Sequence, residues 1–164
     1  MKFKDVKAGL NAYMQTVFPM ISDDPTVQTY EYYGLEVTEG YTTPCFFTRL
    51  TAGESRPSNK NTLYHRLTYG IMYVPPEPDE IDIMDKLDAI RDLFELGCPI
   101  EKGDEKRYLD CIGFDWDYGG TERDILEISV DLEYLTDIRK PVTAEIMKDA
   151  TIIFNGGTDD EWNA

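Results

Sequence analysis

The densest group of side chains that could do chemistry is the acidic segment DWDYGGTERD, residues 115–124. Asp115, Asp117 and Gly120 occupy the first, third and sixth places of a calcium-binding loop, in which carboxylates alternate before a turn at glycine. The twelfth place needs a bidentate acid but holds Leu126, and the flanking residues favour strands rather than helices. We therefore interpret the segment as an acidic hairpin turn. An enzyme that uses carboxylates or a divalent ion at Asp115 and Asp117 stays as an alternative.

Nucleophilic catalysis has little support in the sequence. The single histidine, His65, lies in TLYHRLTY, and no nucleophile-elbow or papain-like motif surrounds any serine or cysteine. The three cysteines are an odd number with wide spacing and no CxxC pair, which favours a reducing compartment and buried hydrophobic roles over zinc binding; they are Cys45, Cys98 and Cys111. We predict no catalytic residue, no metal and no cofactor.

The length and the charge of the chain exclude several further classes of protein. The chain has 164 residues, which is one domain's worth, and 41% of them are hydrophobic, enough for a real core without disulfides. With 32 acidic and 16 basic residues, the formal net charge is -16. This charge argues against binding to a nucleic-acid backbone, because contacts to phosphates need Lys and Arg side chains. The chain shows neither a secretory signal nor an apolar run long enough to span a bilayer.

Hydrophobic periodicity predicts an α+β fold in the order helix, three strands, helix, two strands. Apolar residues recur at helical spacing in residues 2–18 and 79–96. Period-two alternation or β-branched and aromatic runs mark five strands, at residues 27–33, 45–50, 62–74, 108–118 and 124–135. The polar stretch 51–61 is predicted to be a mobile loop. Two helices on one face of a mostly antiparallel sheet is the natural architecture.

The last predicted strand shows the cleanest alternation and carries a strong charge. Its apolar residues share one face, while Glu127, Asp131 and Glu133 share the other, as expected for a sheet with one solvated side. Residues 108–135 hold eight acids and one base. The solvated face is therefore predicted to be strongly negative, which serves solubility, repels polyanions or meets a basic partner.

We predict a single domain over residues 1–136 and a C-terminal extension over 137–164. The extension contains one short apolar strand, with Ile152, Ile153 and Phe154 at its centre. It is predicted to pair either within the fold or with a neighbouring chain.

The succession of segments resembles the tail terminator proteins of tailed phages and prophages. An amphipathic helix, FKDVKAGLNAYMQTVFP, precedes EGYTTPCFFTRL and a polar loop. The tyrosine-bearing strand LYHRLTYGIMYVP, the acidic helix DEIDIMDKLDAIRDLFE and a hairpin ending in LEISVDLEYLT follow. The resemblance covers residues 2–136, and its most specific piece is PCFFTRL, residues 44–50.

The resemblance implies a structural virion protein of the tail and neck rather than an enzyme. Such a protein forms a ring, usually a hexamer, on the head-proximal end of the tail tube, ends tube polymerisation and provides the interface for joining the head. It is assembled in the host cytoplasm and requires no membrane. Its partners would be further copies of itself, the tail tube protein and a head-closure or connector protein, with DNA passing through the lumen without specific binding during ejection.

Three sets of residues become interface candidates on this resemblance. An acidic lumen would keep phosphates from sticking, so Glu127, Asp131 and Glu133 are expected to face it. Loops carry adaptable contacts, so the polar stretch 51–61 is expected to contact a neighbouring ring or the tube. The residues for these contacts are Arg56 and Lys60 in that stretch and, for an adjacent subunit, Ile152, Ile153 and Phe154.

Two further functions fit the charge and size of the chain. Another neck protein, such as a head-closure or tail-completion protein, would share fold and compartment and differ in what it touches. An acidic DNA mimic would block a basic enzyme as a monomer or dimer. A terminator should instead form rings and bind tail tubes, so the mass in solution discriminates between these readings.

Overall fold

The structure is a computed structural model that describes residues 2–34, 40–121 and 124–138. It is an α+β fold with two helices, α1 (Phe3–Met14) and α2 (Glu80–Phe94). Six strands accompany them: β1 (Glu31–Tyr33), β2 (Cys45–Pro57), β3 (Thr62–Val74), β4 (Cys98–Lys102), β5 (Glu105–Gly119) and β6 (Ile125–Asp137). Within the described ranges, neither helix is long and apolar enough to cross a membrane.

All six strands join one mixed sheet in the order β1-β2-β3-β6-β5-β4. Only the β1–β2 pair is parallel, and every other neighbouring pair is antiparallel. The predicted mostly antiparallel sheet is therefore compatible with the structure. The two long alternating segments of the sequence, β3 and β6, lie side by side in the middle of the sheet.

The predicted order of elements was wrong by one strand, because β4 follows α2 where no strand was expected. Its sequence CPIEK contains a proline and two charges, which conceal the alternation of buried Cys98 and Ile100. Proline is tolerated here because β4 is an edge strand and pairs only with β5. The Lys102 Nζ lies 2.6 Å from Asp5 Oδ1, which ties this edge strand to α1.

The predicted loop over residues 51–61 was also wrong. β2 continues to Pro57, with Ser55 opposite His65 and Pro57 opposite Leu63 of β3. The side chains of β2 from Thr51 onward are exposed, so the segment is polar along its length and lacks a strand's alternation. Backbone pairing with β3, rather than burial, forms this part of β2. We call this hairpin, residues 51–66, the β2–β3 arm.

Smaller differences concern the ends of the predicted elements. The strand predicted over residues 27–33 is confined to β1, and α1 ends at Met14 rather than at residue 18. Phe3 and Met84 recur at the apolar spacing of the two helices, and the pattern would place them on the buried side, but they are 44% and 46% exposed. In α2, Asp79 caps the helix by accepting a hydrogen bond from the Ile81 N–H at 3.0 Å, so the helix proper begins one residue later than predicted.

One hydrophobic core lies between the sheet and both helices, which pack on the same sheet face. α1 and α2 contribute apolar residues at helical spacing: Val6, Leu10, Met14, Ile83, Leu87, Ile90 and Phe94. The alternating residues of β3 and β6 meet them: Leu67, Tyr69, Ile71, Tyr73, Leu126, Ile128, Val130, Leu132 and Tyr134. The hydroxyls of two core tyrosines are satisfied, since Tyr69 donates to Asn11 Oδ1 at 2.7 Å and Tyr73 donates to Asp82 Oδ2 at 2.6 Å.

The turn after α2 depends on Gly97, which has φ of +89°. A Cβ there would lie 2.2 Å from the Leu109 carbonyl oxygen of β5. We expect Gly97→Ala to lower the free energy of unfolding by at least the ~1–3 kcal/mol of a strained backbone, with the backbone clash added. The matched control is Gly103→Ala, which also has a positive φ, +58°, but meets nothing within 4 Å. Denaturant unfolding of both variants checks this, and equal losses would contradict the clash.

Candidate functional site

The sheet face that turns away from the helices carries a field of carboxylates, which we call the acidic face. β6 places Glu127, Ser129, Asp131 and Glu133 there, because they alternate with its core residues. β5 adds acids in register, with Asp117 opposite Glu127 and Asp110 opposite Glu133. Six of the acids on this face are Asp110, Asp115, Asp117, Glu127, Asp131 and Glu133. The prediction that Glu127, Asp131 and Glu133 share one face of a strand is confirmed.

Neighbouring strand β3 holds two of these acids in place. Asp131 accepts a hydrogen bond from the Thr68 hydroxyl at 2.6 Å and forms an ion pair with Arg66. The Thr68 hydrogen bond, followed by that of Arg66, lowers the pKa of Asp131 below its ordinary value. Glu133 accepts a hydrogen bond from the Tyr64 hydroxyl at 2.7 Å, and this bond raises the pKa of that phenol. Asp131 and Glu133 are consequently half-buried, while Glu127 is exposed.

At the end of β6 where Glu127 lies, away from Asp131 and Glu133, the acidic face contains a groove of about 460 Å³. We call it the back groove. Its apolar wall includes Tyr41, Phe47 and Met72, and Arg49 and Glu127 contribute charges of opposite sign. The interface residues predicted from the sequence do not include Tyr41, Phe47, Arg49 or Met72. A signal was present in CFFTRL, because Phe47 and Arg49 alternate with buried Phe46 and Thr48 and so belong to the opposite face.

The acidic hairpin segment does not form a metal centre in the described structure. Asp115 and Asp117 both lie within β5, opposite Ser129 and Glu127 of β6. Across the described ranges, no group of three or more His, Cys, Asp or Glu side chains converges as metal ligands. Gly120, with φ of +80°, belongs to the turn that leads from β5 into β6.

The cysteines have the character of buried hydrophobic residues rather than nucleophiles. Cys45 and Cys98 are fully buried and Cys111 is half-buried. Burial raises the pKa of the Cys45 thiol to about 11 and that of Cys98 to about 12, so both stay protonated near neutral pH.

The β2–β3 arm carries two of the predicted contact residues. Arg56 lies on β2 with its guanidinium 5.2 Å from the centre of the Tyr64 ring and 3.3 Å from Glu54. Lys60 lies in the turn between the strands, and both side chains are exposed. The structure thus places Arg56 and Lys60 at the end of a hairpin rather than in a mobile loop. The third predicted set, Ile152, Ile153 and Phe154, lies outside the described residues.

His65 has a structural role at the base of this arm. Its Nδ1 lies 2.9 Å from the Ser55 hydroxyl of β2, and its Nε2 lies 2.8 Å from the Thr136 hydroxyl of β6. The imidazole also stacks on Tyr134 with 4.9 Å between ring centres. One ring therefore links three adjacent strands. Burial, together with the nearby charge of Arg107, lowers the pKa of His65.

This lowered pKa predicts a loss of stability in mild acid. The folded protein holds His65 neutral, so the unfolded chain binds more protons and stability rises with pH. The contribution is complete above the unfolded pKa of about 6.5 and is lost as the pH falls towards the lower folded value. We expect the unfolding free energy of the wild type to fall more steeply between pH 7.5 and 5 than that of His65→Gln. Because the chain has one histidine, parallel pH profiles would contradict this role.

Taken together, the geometry gives an α+β domain with three distinctive surface features: an acidic sheet face, a groove and an exposed arm. A family model described as phage tail terminator protein matches residues 7–144, well over half of the chain. The chain therefore belongs to the phage tail terminator family, and the resemblance found in the sequence is confirmed. This family consists of structural proteins of the virion tail that interact with other tail and head proteins. A search of curated proteins found no match.

Proposed function

We propose that this chain assembles as a ring on the head-proximal end of the phage tail tube, with six subunits as the resemblance to its family implies. The ring ends tube polymerisation and provides the interface for joining the head. Membership of the tail terminator family carries this proposal. The acidic face and the β2–β3 arm support it, because they supply a surface that repels polyanions and an exposed hairpin suited to adaptable contacts.

In this proposal the acidic face lines the lumen through which DNA passes. At least six acids lie on that face, and the bases that β2 and β3 direct to it are Arg49, Arg56 and Arg66. Arg66 is already paired with Asp131 and Arg56 with Glu54, so little positive charge is left to hold phosphates. Electrostatic repulsion would keep DNA mobile during ejection.

Charge reversal at Glu127 tests the lumen assignment. We expect assembled Glu127→Lys rings to retain duplex DNA at low ionic strength, whereas wild-type rings do not, and the retention should fall as salt is raised. Fluorescence anisotropy of a labelled duplex measures this. The matched control is Asp88→Lys on the exposed surface of α2, where Asp88 is 62% exposed. Equal DNA retention by both variants would place the acidic face outside the lumen.

The C-terminal extension is proposed to reach an adjacent subunit through Ile152, Ile153 and Phe154. Two strand edges are open to such addition in the described structure. β1 pairs with β2 only as far as Phe47, and β4 pairs with β5 only as far as Leu109. The backbone beyond those points can pair with an extended apolar segment from another copy.

The mass of the purified chain in solution, measured by light scattering with and without its tail tube protein, tests the whole proposal. A ring-sized mass, either alone or on the tube, is the expected result. A strict monomer that ignores the tube would contradict the ring and favour an acidic mimic of DNA. A ring that binds the head connector but not the tube would indicate a head-closure protein instead.

A further inference from the structure

The back groove is an apolar site on an otherwise charged face. Phe47 and Met72 are half-buried and Tyr41 is 40% exposed, so their apolar surface is only partly covered within the described residues. The ring of Phe47 packs against Tyr33 at 5.3 Å and Tyr41 at 5.4 Å between ring centres, which leaves a firm aromatic wall. An occupant of this groove should offer aliphatic or aromatic side chains.

The chain leaves the described structure at the opposite end of the same sheet. The Ile138 N–H donates to the Asn61 carbonyl at 2.7 Å, beside the tip of the β2–β3 arm. Glu127 of the groove lies ten residues back along β6 from Asp137, a distance of roughly 33 Å at the rise of a strand. Residue 152 follows Ile138 by fourteen residues, and an extended chain of that length spans up to about 48 Å. The apolar segment of the extension can therefore reach the groove of its own chain.

Charge favours the same path. Residues 139–148 hold three bases, Arg139, Lys140 and Lys148, against one acid, Glu145. This is a positive stretch in a chain whose net charge is -16. An extended course along β6 would carry it over the acidic face. Opposite charges across such a surface fix the register of the segment.

We propose that residues 152–154 of the chain's own extension bind the back groove in the free subunit, with residues 139–148 lying along the acidic face. Ile152, Ile153 and Phe154 supply the apolar side chains that the groove accepts. The inference concerns the subunit before assembly and holds whether or not a ring forms. Transfer of the same segment to a neighbour on assembly rests on the proposed function.

Disulfide trapping in the full-length chain tests the contact. Met72→Cys combined with Ile153→Cys should oxidise to an intramolecular disulfide in most molecules at low protein concentration, as read by mass spectrometry and non-reducing gels. The control pairs Ile153→Cys with Arg91→Cys, which lies on α2 on the other side of the sheet, and should not form the bond. Each single-cysteine variant, oxidised in the same way, shows whether the introduced cysteine forms a disulfide with a native cysteine. Cross-linking between chains would assign the groove to another copy's extension, and the absence of any bond would overturn the proposal.

A second measurement does not depend on disulfide geometry. With labelled methionine methyl groups, the resonance of Met72, assigned through Met72→Leu, should shift in Phe154→Asp and change little in Asn155→Asp. An unshifted Met72 resonance in Phe154→Asp would show that the groove does not hold the segment. Light scattering on the same samples reports ring formation separately, so a failure of this inference is distinguishable from a failure of the ring.

Discussion

Replacing Phe46 with alanine is expected to lower the free energy of unfolding by about 3–5 kcal/mol, the usual cost of removing a buried aromatic ring. Phe46 is fully buried. Its ring centre lies 5.1 Å from those of Phe18 and Tyr73 and 5.3 Å from that of Tyr30. The residue therefore joins the segment after α1 to β2 and β3, and its loss leaves a cavity that no single neighbour can fill.

The next residue provides the matched control for this substitution. Phe47→Ala removes the same ring from the opposite face of β2, where Phe47 is half-buried in the wall of the back groove. We expect the loss of unfolding free energy to be no more than about half of that for Phe46→Ala. The stabilisation from an apolar side chain is proportional to the area that folding removes from water, and Phe47 remains partly exposed. Denaturant unfolding at pH 7 measures both variants. Equal losses of unfolding free energy in the two variants would contradict the assignment of Phe46 to the core and Phe47 to the opposite face of β2.

This pair of phenylalanines places two aromatic rings on opposite faces of β2. Within two residues the strand supplies the aromatic centre of the core, at Phe46, and a wall of the groove on the solvated face, at Phe47. A substitution at either position alters a different surface of the domain. The close packing around each ring therefore limits which side chains fit at either position.

The elements that could be predicted from the sequence are those in which buried residues recur at the spacing of a strand or of a helix. β6 alternates buried and solvated residues along its length, and α2 repeats its buried residues at helical spacing, so both were located with small errors at their ends. β4 was missed because a proline and two charges fill the positions that an edge strand leaves exposed. The β2–β3 arm was missed because its β2 strand is exposed on both faces and held by backbone pairing, which leaves no pattern in side-chain polarity.

Only the part of the candidate site that lies on one strand could be predicted from the sequence. Alternation within one strand placed Glu127, Asp131 and Glu133 on a common face. Their partners could not be found in this way, because Tyr64, Arg66 and Thr68 come from another strand whose register is set by tertiary pairing. The back groove was missed for the same reason, since its walls come from separate strands and a loop.

Reversing the charge of the arm is expected to have the largest effect on assembly. Arg56→Glu combined with Lys60→Glu should weaken binding of the ring to the tube end by roughly tenfold or more, since like charges brought together at an interface cost several kcal/mol. Unfolding free energy should change little, because the Arg56–Glu54 pair is exposed on both sides and such pairs contribute about 0–1 kcal/mol. Co-sedimentation with tail tubes measures the binding, and denaturant unfolding measures the stability.

The control applies the same change of charge away from the arm, as Arg91→Glu combined with Lys106→Glu. Both of these side chains are exposed, at 57% and 73%, and both pair with acids on the surface, as Arg56 does. Net charge alone would weaken tube binding equally in the two double variants. A specific contact of the arm weakens it only in Arg56→Glu/Lys60→Glu. Since the arm is a paired hairpin anchored by His65 and β6, a loss confined to that variant assigns tube contact to its tip, and unchanged binding would remove the arm from the interface.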